Sequence, residues 1–527
     1  MNRCLGTAEL LDIIIEKLDG DRTSLSCLAR VCTSLKEPAL NALYYKMDCF
    51  EDLLEVIPED VLPFQQEQPG FNSWNFHRRM ARDEWHMFIS YTTRVRDIKI
   101  EFVDSHMDSV WNVCTVLGWH CSVATLFPNL LKLTVLANHM GSAGQFVGRL
   151  CLGKKLQSLV IKDCNTELWL KGLQSSGAPL FSRCPLLEAF ECGPDDQNLE
   201  YPNASSIVTD SICGWPNLRT LNCGPLEPRS ISHVAAMPSF NRLRLALSEE
   251  THWPDEGYCF GLRALEALIV DSHDYCSFEK VSKALASLFR LGVHAHPPQA
   301  SLRHLEVQST SMSTSSLSTL AVVMASYVFH HTLQKVIIRD GCLFPGRTGR
   351  ATGISGRDIS AWLQTLRPFQ RLTHIDLRYT HSPYGEDFPI PVGVLLDCAR
   401  SWPHLRSLVL WFITTSLTLV DTINLLQVLP KLETLGIGIR MTTDAIMLVV
   451  REKLPLPSNA QIDTLAIEHA DATDATQDVE PLSTLLVQLV PRLSKVLKED
   501  HSTYAVRADR SPFWVAVLAK VHNQRAA

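Results

Sequence analysis

The chain has 527 residues, too many for one ordinary compact core, so it implies a repeat array or several domains. Hydrophobic residues make up 46% and charged residues 20%, enough apolar material for a core along nearly the whole length, which weighs against long disorder. A net charge of -7 gives no general attraction to phosphate backbones or anionic lipid, so neither nucleic acid nor a membrane is expected as partner.

No stretch approaches the roughly 20 apolar residues that cross a bilayer. The N-terminal run from Leu10 to Leu18 is broken by Asp12, Glu16 and Lys17, unlike a signal-peptide core. A cytoplasmic or nuclear protein is expected. There are sixteen cysteines and no Cys-x-x-Cys, and Cys192 and Cys223 occupy apolar pattern positions, where cysteine acts as a small hydrophobe suited to a reducing compartment.

Leu10, Leu11, Ile14, Ile15 and Leu18 share one face of a first helix, with Thr7 as its cap and Glu9 complementing its positive end. Asp19-Gly20-Asp21 ends it. Ser24 is expected to cap a second helix carrying Leu25, Leu28, Val31, Cys32 and Leu35, and Pro38 suits the first turn of a third holding Leu40 and Leu43. Three helices of this size bury little core alone, so their apolar faces invite a partner.

The arrangement Leu5-x-x-x-Glu9-Leu10-Leu11-x-x-Ile14-x-x-x-Leu18, then Leu25-x-x-Leu28-x-x-Val31-Cys32, then Ala39-Leu40-x-x-Leu43-Tyr44, resembles an F-box over residues 4–48. Gly6 stands where that family usually has Pro, and Ser34-Leu35 replaces a frequent Arg-Trp pair. The resemblance implies docking on the Skp adaptor of a cullin-RING ubiquitin ligase, through Leu5, Leu10, Leu11, Ile14, Leu18, Leu28, Val31 and Cys32. The alternative is an N-terminal cap over the first unit of a repeat array.

Residues 49–92 read as a linker, rich in Pro, Glu and Gln over 58–68, and a connecting helix with Trp85, Phe88 and Tyr91 on one face. Beyond it the pattern apolar-x-x-apolar-x-apolar recurs: Val95/Ile98/Ile100, Leu130/Leu133/Val135, Leu156/Leu159/Ile161, Leu187/Phe190/Cys192, Leu218/Leu221/Cys223, Phe240/Leu243/Leu245 and Leu265/Leu268/Val270. It continues at Leu302/Leu305/Val307, Leu333/Val336/Ile338, Leu372/Ile375/Leu377, Leu405/Leu408/Leu410, Leu432/Leu435/Ile437 and Ile462/Leu465/Ile467, with a weak last copy at Leu493/Val496. Successive copies lie about 22 to 39 residues apart. The last two apolar residues point to one face of a strand, while 278–291, 315–329 and 443–454 carry helical spacing. Prolines at Pro128, Pro216, Pro403 and Pro430 end the preceding helix ahead of four of the strands.

This run resembles the leucine-rich-repeat family over residues 93–500, with 501–527 as a C-terminal cap that includes Pro512-Phe513-Trp514. The implied fold is α/β, an irregular solenoid or horseshoe with a small all-helical F-box-like head. Only Asn138 and Cys164, with Thr310 and Thr380 as partial substitutes, occupy the family's turn position after the strand, which implies distortion.

Strand alternation places His304, Glu306 and Gln308 beside Lys335, Ile337 and Arg339, then His374, Asp376 and Arg378, then Ser407, Val409 and Trp411. From this face His304, Glu306, Lys335, Arg339, Asp376, Arg378 and Trp411 are the expected contacts to a protein target, with Val409 and Trp411 as an exposed apolar edge. Replacing Arg339, Arg378 and Trp411 by Ala is expected to leave stability intact.

Catalytic signatures are thin: there is no Gly-x-Ser-x-Gly, His-Glu-x-x-His or Walker motif. The Gly- and Arg-rich segment 346–357 reads as a surface insertion, and His330-His331 and His294-x-His296 lack the companions of a metal site. The expectation is a substrate-recognition adaptor, not an enzyme, with no cofactor and no metal; a repeat scaffold without a ubiquitin role is the alternative.

Overall fold

In the computed structural model the described residues are 8–18, 20–68, 71–74, 76–102, 117, 125–137, 141–162, 166–174, 179–193, 205–247, 260–262, 264–272, 278–289, 301–309, 314–327, 330–340, 356–378, 390–411, 417–437, 439–440, 449, 461–467, 479–498, 506–507 and 512–526. The chain is an α/β protein with a large parallel sheet preceded by a helical N-terminal region. It divides into two compact units, Met1–Phe240 and Asn241–Ala527.

The first unit opens with helices α1 (Ala8–Lys17), α2 (Arg22–Val31) and α3 (Thr33–Leu43). Thr7 lies outside the described residues. Gly20 turns the chain between α1 and α2 with φ +83°, a backbone setting that favours glycine. Asp21, not Ser24, caps α2: its carboxylate accepts from the Ser24 amide at 3.0 Å and the Ser24 hydroxyl at 2.6 Å. A carboxylate there satisfies two donors at once, which the smaller hydroxyl at the third helical position cannot do. The third helix likewise starts earlier than expected, at Thr33, so Pro38 lies inside it. Its missing amide removes one helical hydrogen bond at that turn.

The chain then forms β1 (Lys46–Met47), an antiparallel hairpin of β2 (Phe64–Gln68) and β3 (Phe71–Trp74), and, after helix Arg82–Thr92, β4 (Asp97–Phe102). There follow β5 (Lys132–Ala137), β6 (Ser158–Lys162), β7 (Ala189–Gly193) and β8 (Thr220–Cys223). The sheet order is β1-β4-β5-β6-β7-β8, and the described pairs are parallel. Helical segments alternate with these strands, as a parallel sheet requires. One of them, Gly141–Phe146, runs into a π-helical turn, Val147–Cys151.

In the second unit the strands are β9 (Arg242–Leu247), β10 (Ala267–Ser272), β11 (His304–Ser309), β12 (Lys335–Asp340), β13 (His374–Arg378), β14 (Ser407–Trp411), β15 (Leu417–Thr418), β16 (Thr434–Ile437), β17 (Ile439–Arg440), β18 (Thr464–Ile467), β19 (Lys495–Lys498) and β20 (Val506–Arg507). The main sheet runs β9-β10-β11-β12-β13-β14-β16-β18-β19-β20, parallel up to β19, with β20 added antiparallel, while β15 and β17 pair apart from it. The weak copy at Leu493/Val496 is thus a paired strand.

Within each unit one backbone device repeats. The two amides just before and at the start of a strand both donate to a single carbonyl, that of the residue just before the preceding strand. Leu131 and Lys132 reach Arg96 O, Arg303 and His304 reach Glu266 O, and Thr373 and His374 reach Gln334 O, at 2.7–3.1 Å. Each strand is thereby indexed to its neighbour before the ladder proper begins.

The core lies between the sheet and the helices. All the repeated apolar triplets whose side chains are described are buried, from Val95, Ile98 and Ile100 to Leu432, Leu435 and Ile437. The Ile467 and Val496 side chains and segment 443–454, apart from buried Val449, lie outside the described residues. Helix Phe278–Phe289 turns Val281, Ala284, Leu285 and Leu288 onto the sheet side, an i, i+3, i+4, i+7 set, and Thr314–Tyr327 does the same with Leu317, Leu320, Ala321 and Met324. Trp215 and Trp402, each just before a proline, are fully buried, and Trp402 Nε1 donates to Leu366 O at 3.1 Å. The C-terminal helix Pro512–Ala526 packs Val517 and Val521 inward, beside helix Val479–Leu489. Among the described residues no helix is long and apolar enough to cross a membrane.

Candidate protein-binding surfaces

Two surfaces collect the residues that the sequence singles out. The first is on the helical head. The apolar residues of α1 with described side chains stay at least partly open: Leu10 is 44% and Ile13 52% exposed, and Leu11, Ile14 and Ile15 are half-buried, as is Leu18 just beyond the helix. On α2, Leu25 is buried, Leu28 half-buried and Val31 68% exposed, with Cys32 exposed just beyond it. Leu5 lies outside the described residues. Ile13, absent from the expected set, is the most exposed apolar residue among the described side chains of α1; its place one step off the Leu10–Ile14 stripe hid it.

The head's opposite side is tied to the sheet. Arg94 Nη2 meets Glu37 at 2.8 Å and Arg94 Nη1 donates to the Asn41 side chain at 2.5 Å, while the Tyr44 and Tyr91 rings lie 4.9 Å apart. Tyr45 O accepts from the Arg96 and Asp97 amides, so the head delivers the first strand-indexing carbonyl. On the connecting helix Phe88 is fully buried, with Trp85 edge-on to it at 6.1 Å.

The second surface is the polar face of the sheet in the second unit. Three rows run across the strands. The first aligns Arg242, Ala267, His304, Lys335, His374 and Ser407; the second Arg244, Ile269, Glu306, Ile337, Asp376 and Val409; the third Ala246, Asp271, Gln308, Arg339, Arg378 and Trp411. The expected register holds at every one of the twelve positions named from β11 to β14.

The charges of the second and third rows pair with one another. Arg339 bridges two strands, with Nη1 3.2 Å from Glu306 and Nη2 3.6 Å from Asp376, and Arg378 Nε donates to Asp376 at 2.8 Å. Gln308 donates to Glu306 at 2.9 Å, and His304 Nε2 lies 3.4 Å from the same carboxylate. Burial opposes ionisation of Glu306, yet His304, Gln308 and Arg339 together hold its carboxyl down at about 2. Further along, Arg244 Nε bonds buried Asp271. Each acid of this face therefore has a guanidinium partner, whereas in the first row His374 has its pKa lowered by burial and by Lys335.

One expectation fails here. Val409 is 6% and Ile337 4% exposed, so neither forms an open apolar edge. Both sit in the middle row, hemmed in by residues two places away along the strand and by neighbours about 4.8 Å to either side. The same burial changes what replacing the arginines by Ala is expected to do: Glu306 and Asp376 are nearly buried and would lose their counter-charges, so a loss of stability is now expected. The side chain of Trp411 lies outside the described residues.

Elsewhere, His330 sets its ring edge-on to Phe369 at 4.8 Å. Residues 346–355, His294, His296, Asn138, Cys164, Thr310 and Thr380 lie outside the described residues. Among the described residues no group of three or more metal-ligating side chains gathers. The chain matches no protein-family model and no curated protein.

Proposed function

We propose that the chain is the substrate-recognition subunit of a cullin-RING ubiquitin ligase, an F-box-like head on an irregular leucine-rich-repeat solenoid. The head docks the Skp adaptor, and the polar face of the sheet in the second unit binds a protein target. The observation that carries the first half is the exposure of Leu10, Ile13 and Val31, with Leu11 and Ile14 half-buried, at the start of a long strand-and-helix array. Exposed leucine and isoleucine on a short helix suit helix-in-groove docking, where about 1.5–3 kcal/mol accompanies each fully buried side chain. Repetition of one strand-indexing device at irregular spacing supports the solenoid reading.

Co-expression with a Skp adaptor tests the head. The expected result is a co-purifying complex, abolished by joint replacement of Leu10, Leu11 and Ile14 with Ala while circular dichroism of the chain stays unchanged. A chain that never co-purifies with the adaptor sinks the ubiquitin role. A second reading then stands, in which the head only caps a protein-binding scaffold, and it is favoured by β1 pairing directly with β4.

A further inference from the structure

The polar sheet face of the second unit has one row made of basic side chains, of which, among the described residues, only His304 has a carboxylate beside it, Glu306 at 3.4 Å. Arg242, Lys335 and the two histidines, His304 and His374, stand at equivalent positions on β9, β12, β11 and β13. Among the described residues no carboxylate lies within ion-pair distance of Arg242 or Lys335, although Arg244, Arg339 and Arg378 in the other two rows are all engaged. The acids of the face are used up inside it. Lys335 is half-buried, and its strand runs between those of His304 and His374, about 4.8 Å to either side.

We infer that this row docks an acidic, extended segment of the target protein laid across β9 to β13, with side-chain carboxylates at Lys335 and Arg242. The inference rests on the target-binding role proposed for this face. Arg242 and Lys335 are three strands apart, roughly 14 Å, which matches residues i and i+4 of an extended peptide at about 3.4 Å per residue. A nucleic acid fits less well, since the whole chain carries -7 and the row is a single short line.

Protonation follows from the same geometry. The groups acting on His374 are Lys335, Glu433, Arg406 and His304, with the Thr373 hydroxyl 2.8 Å from its Nδ1. Burial and Lys335 lower its pKa, so it is neutral at pH 7; a docked carboxylate favours its charged form, and binding takes up a proton. Affinity for the acidic segment therefore rises as pH falls from 7.5 towards 6.

The full chain is titrated against a fluorescein-labelled decaglutamate peptide, followed by anisotropy, with decaserine and decauridylate as comparison probes. Decaglutamate binds, and the affinity falls with added salt and strengthens at pH 6. Lys335→Ala weakens it roughly fivefold or more and Lys335→Glu abolishes it, while Lys171→Glu, on helix Thr166–Gln174, leaves it unchanged. No binding of decaglutamate, equal binding by Lys335→Glu, or tighter binding of decauridylate overturns the inference. Adaptor co-purification and target capture by Lys335→Glu are scored separately: capture lost without any decaglutamate binding keeps the face as the target site and removes only the acidic class.

Discussion

Cysteine reactivity divides by position. Cys192 and Cys223 replace leucine on the core side of β7 and β8 and are fully buried, and burial pushes the Cys223 thiol far up. Cys32 is exposed, and the Ser34 hydroxyl and the Leu35 amide lower its pKa. In a native-state iodoacetamide time course followed by peptide mass spectrometry, Cys32 labels first and Cys192 and Cys223 stay unlabelled until denaturant is added. Early labelling of the last two would contradict the strand register.

At Glu306 the linkage runs from a carboxyl depressed from 4.5 to about 2. Because the folded-state pKa lies below the unfolded one, its contribution is present above about 4.5 and is lost as pH falls towards 2. Glu306→Gln should therefore flatten the acid limb of a stability-versus-pH curve between those values. Arg339→Ala is expected to lower stability by about 2–3 kcal/mol, discounted because the guanidinium is part-exposed, and Arg339→Lys to recover only part of it. An unchanged urea midpoint for Arg339→Ala would show that the two carboxylates find other partners. None of this pairing was visible in the sequence: alternation puts Glu306, Arg339 and Asp376 on one face, but neither the bridging by Arg339 nor the burial of Ile337 and Val409 follows from period two.

Among elements, the glycines at 144 and 148 decide how closely two helical segments approach. A Cβ on Gly148 would lie 2.6 Å from Leu173 O and 2.8 Å from Leu173 Cα, and one on Gly144 would lie 2.9 Å from Trp169 O. Backbone cannot step aside as a side chain can, so Gly148→Ala should cost roughly 1–3 kcal/mol and lower Tm, whereas Gly393→Ala, facing open space, should not. Equal melting temperatures for the two variants would refute the close packing. Element order was largely legible, because a strand with two core-facing residues two apart repeats so many times that chance copies are outvoted. Helix starts were less so. Asp21 displaced Ser24 as cap because a carboxylate accepts from two donors, and α3 began a turn early because Cys32 adopts an extended backbone at its start. The β2–β3 hairpin, in a Gln-rich stretch without apolar alternation, gave no signal at all.

For the whole molecule, the head is both a candidate docking element and the start of the sheet. Removing residues 1–48 would take away β1 and the Tyr45 carbonyl and leave β4 with an unpaired edge. The truncated chain is expected to self-associate in size-exclusion chromatography, while the Leu10/Leu11/Ile14 triple variant stays monomeric. A monomeric truncated chain with an unaltered Tm would show that the edge needs no cover.

The shared carbonyl at each strand start has a mechanical side. From β10 to β18 each strand of the main sheet in the second unit hangs on its predecessor through two amides on one oxygen, with the ladder beyond it, and on no strand further back. Tension applied at the C-terminus therefore loads one strand boundary at a time. The second unit should yield in a staircase, beginning at β19 and β20, each step freeing roughly 30 residues and about 10 nm of contour at ~3.4 Å per residue.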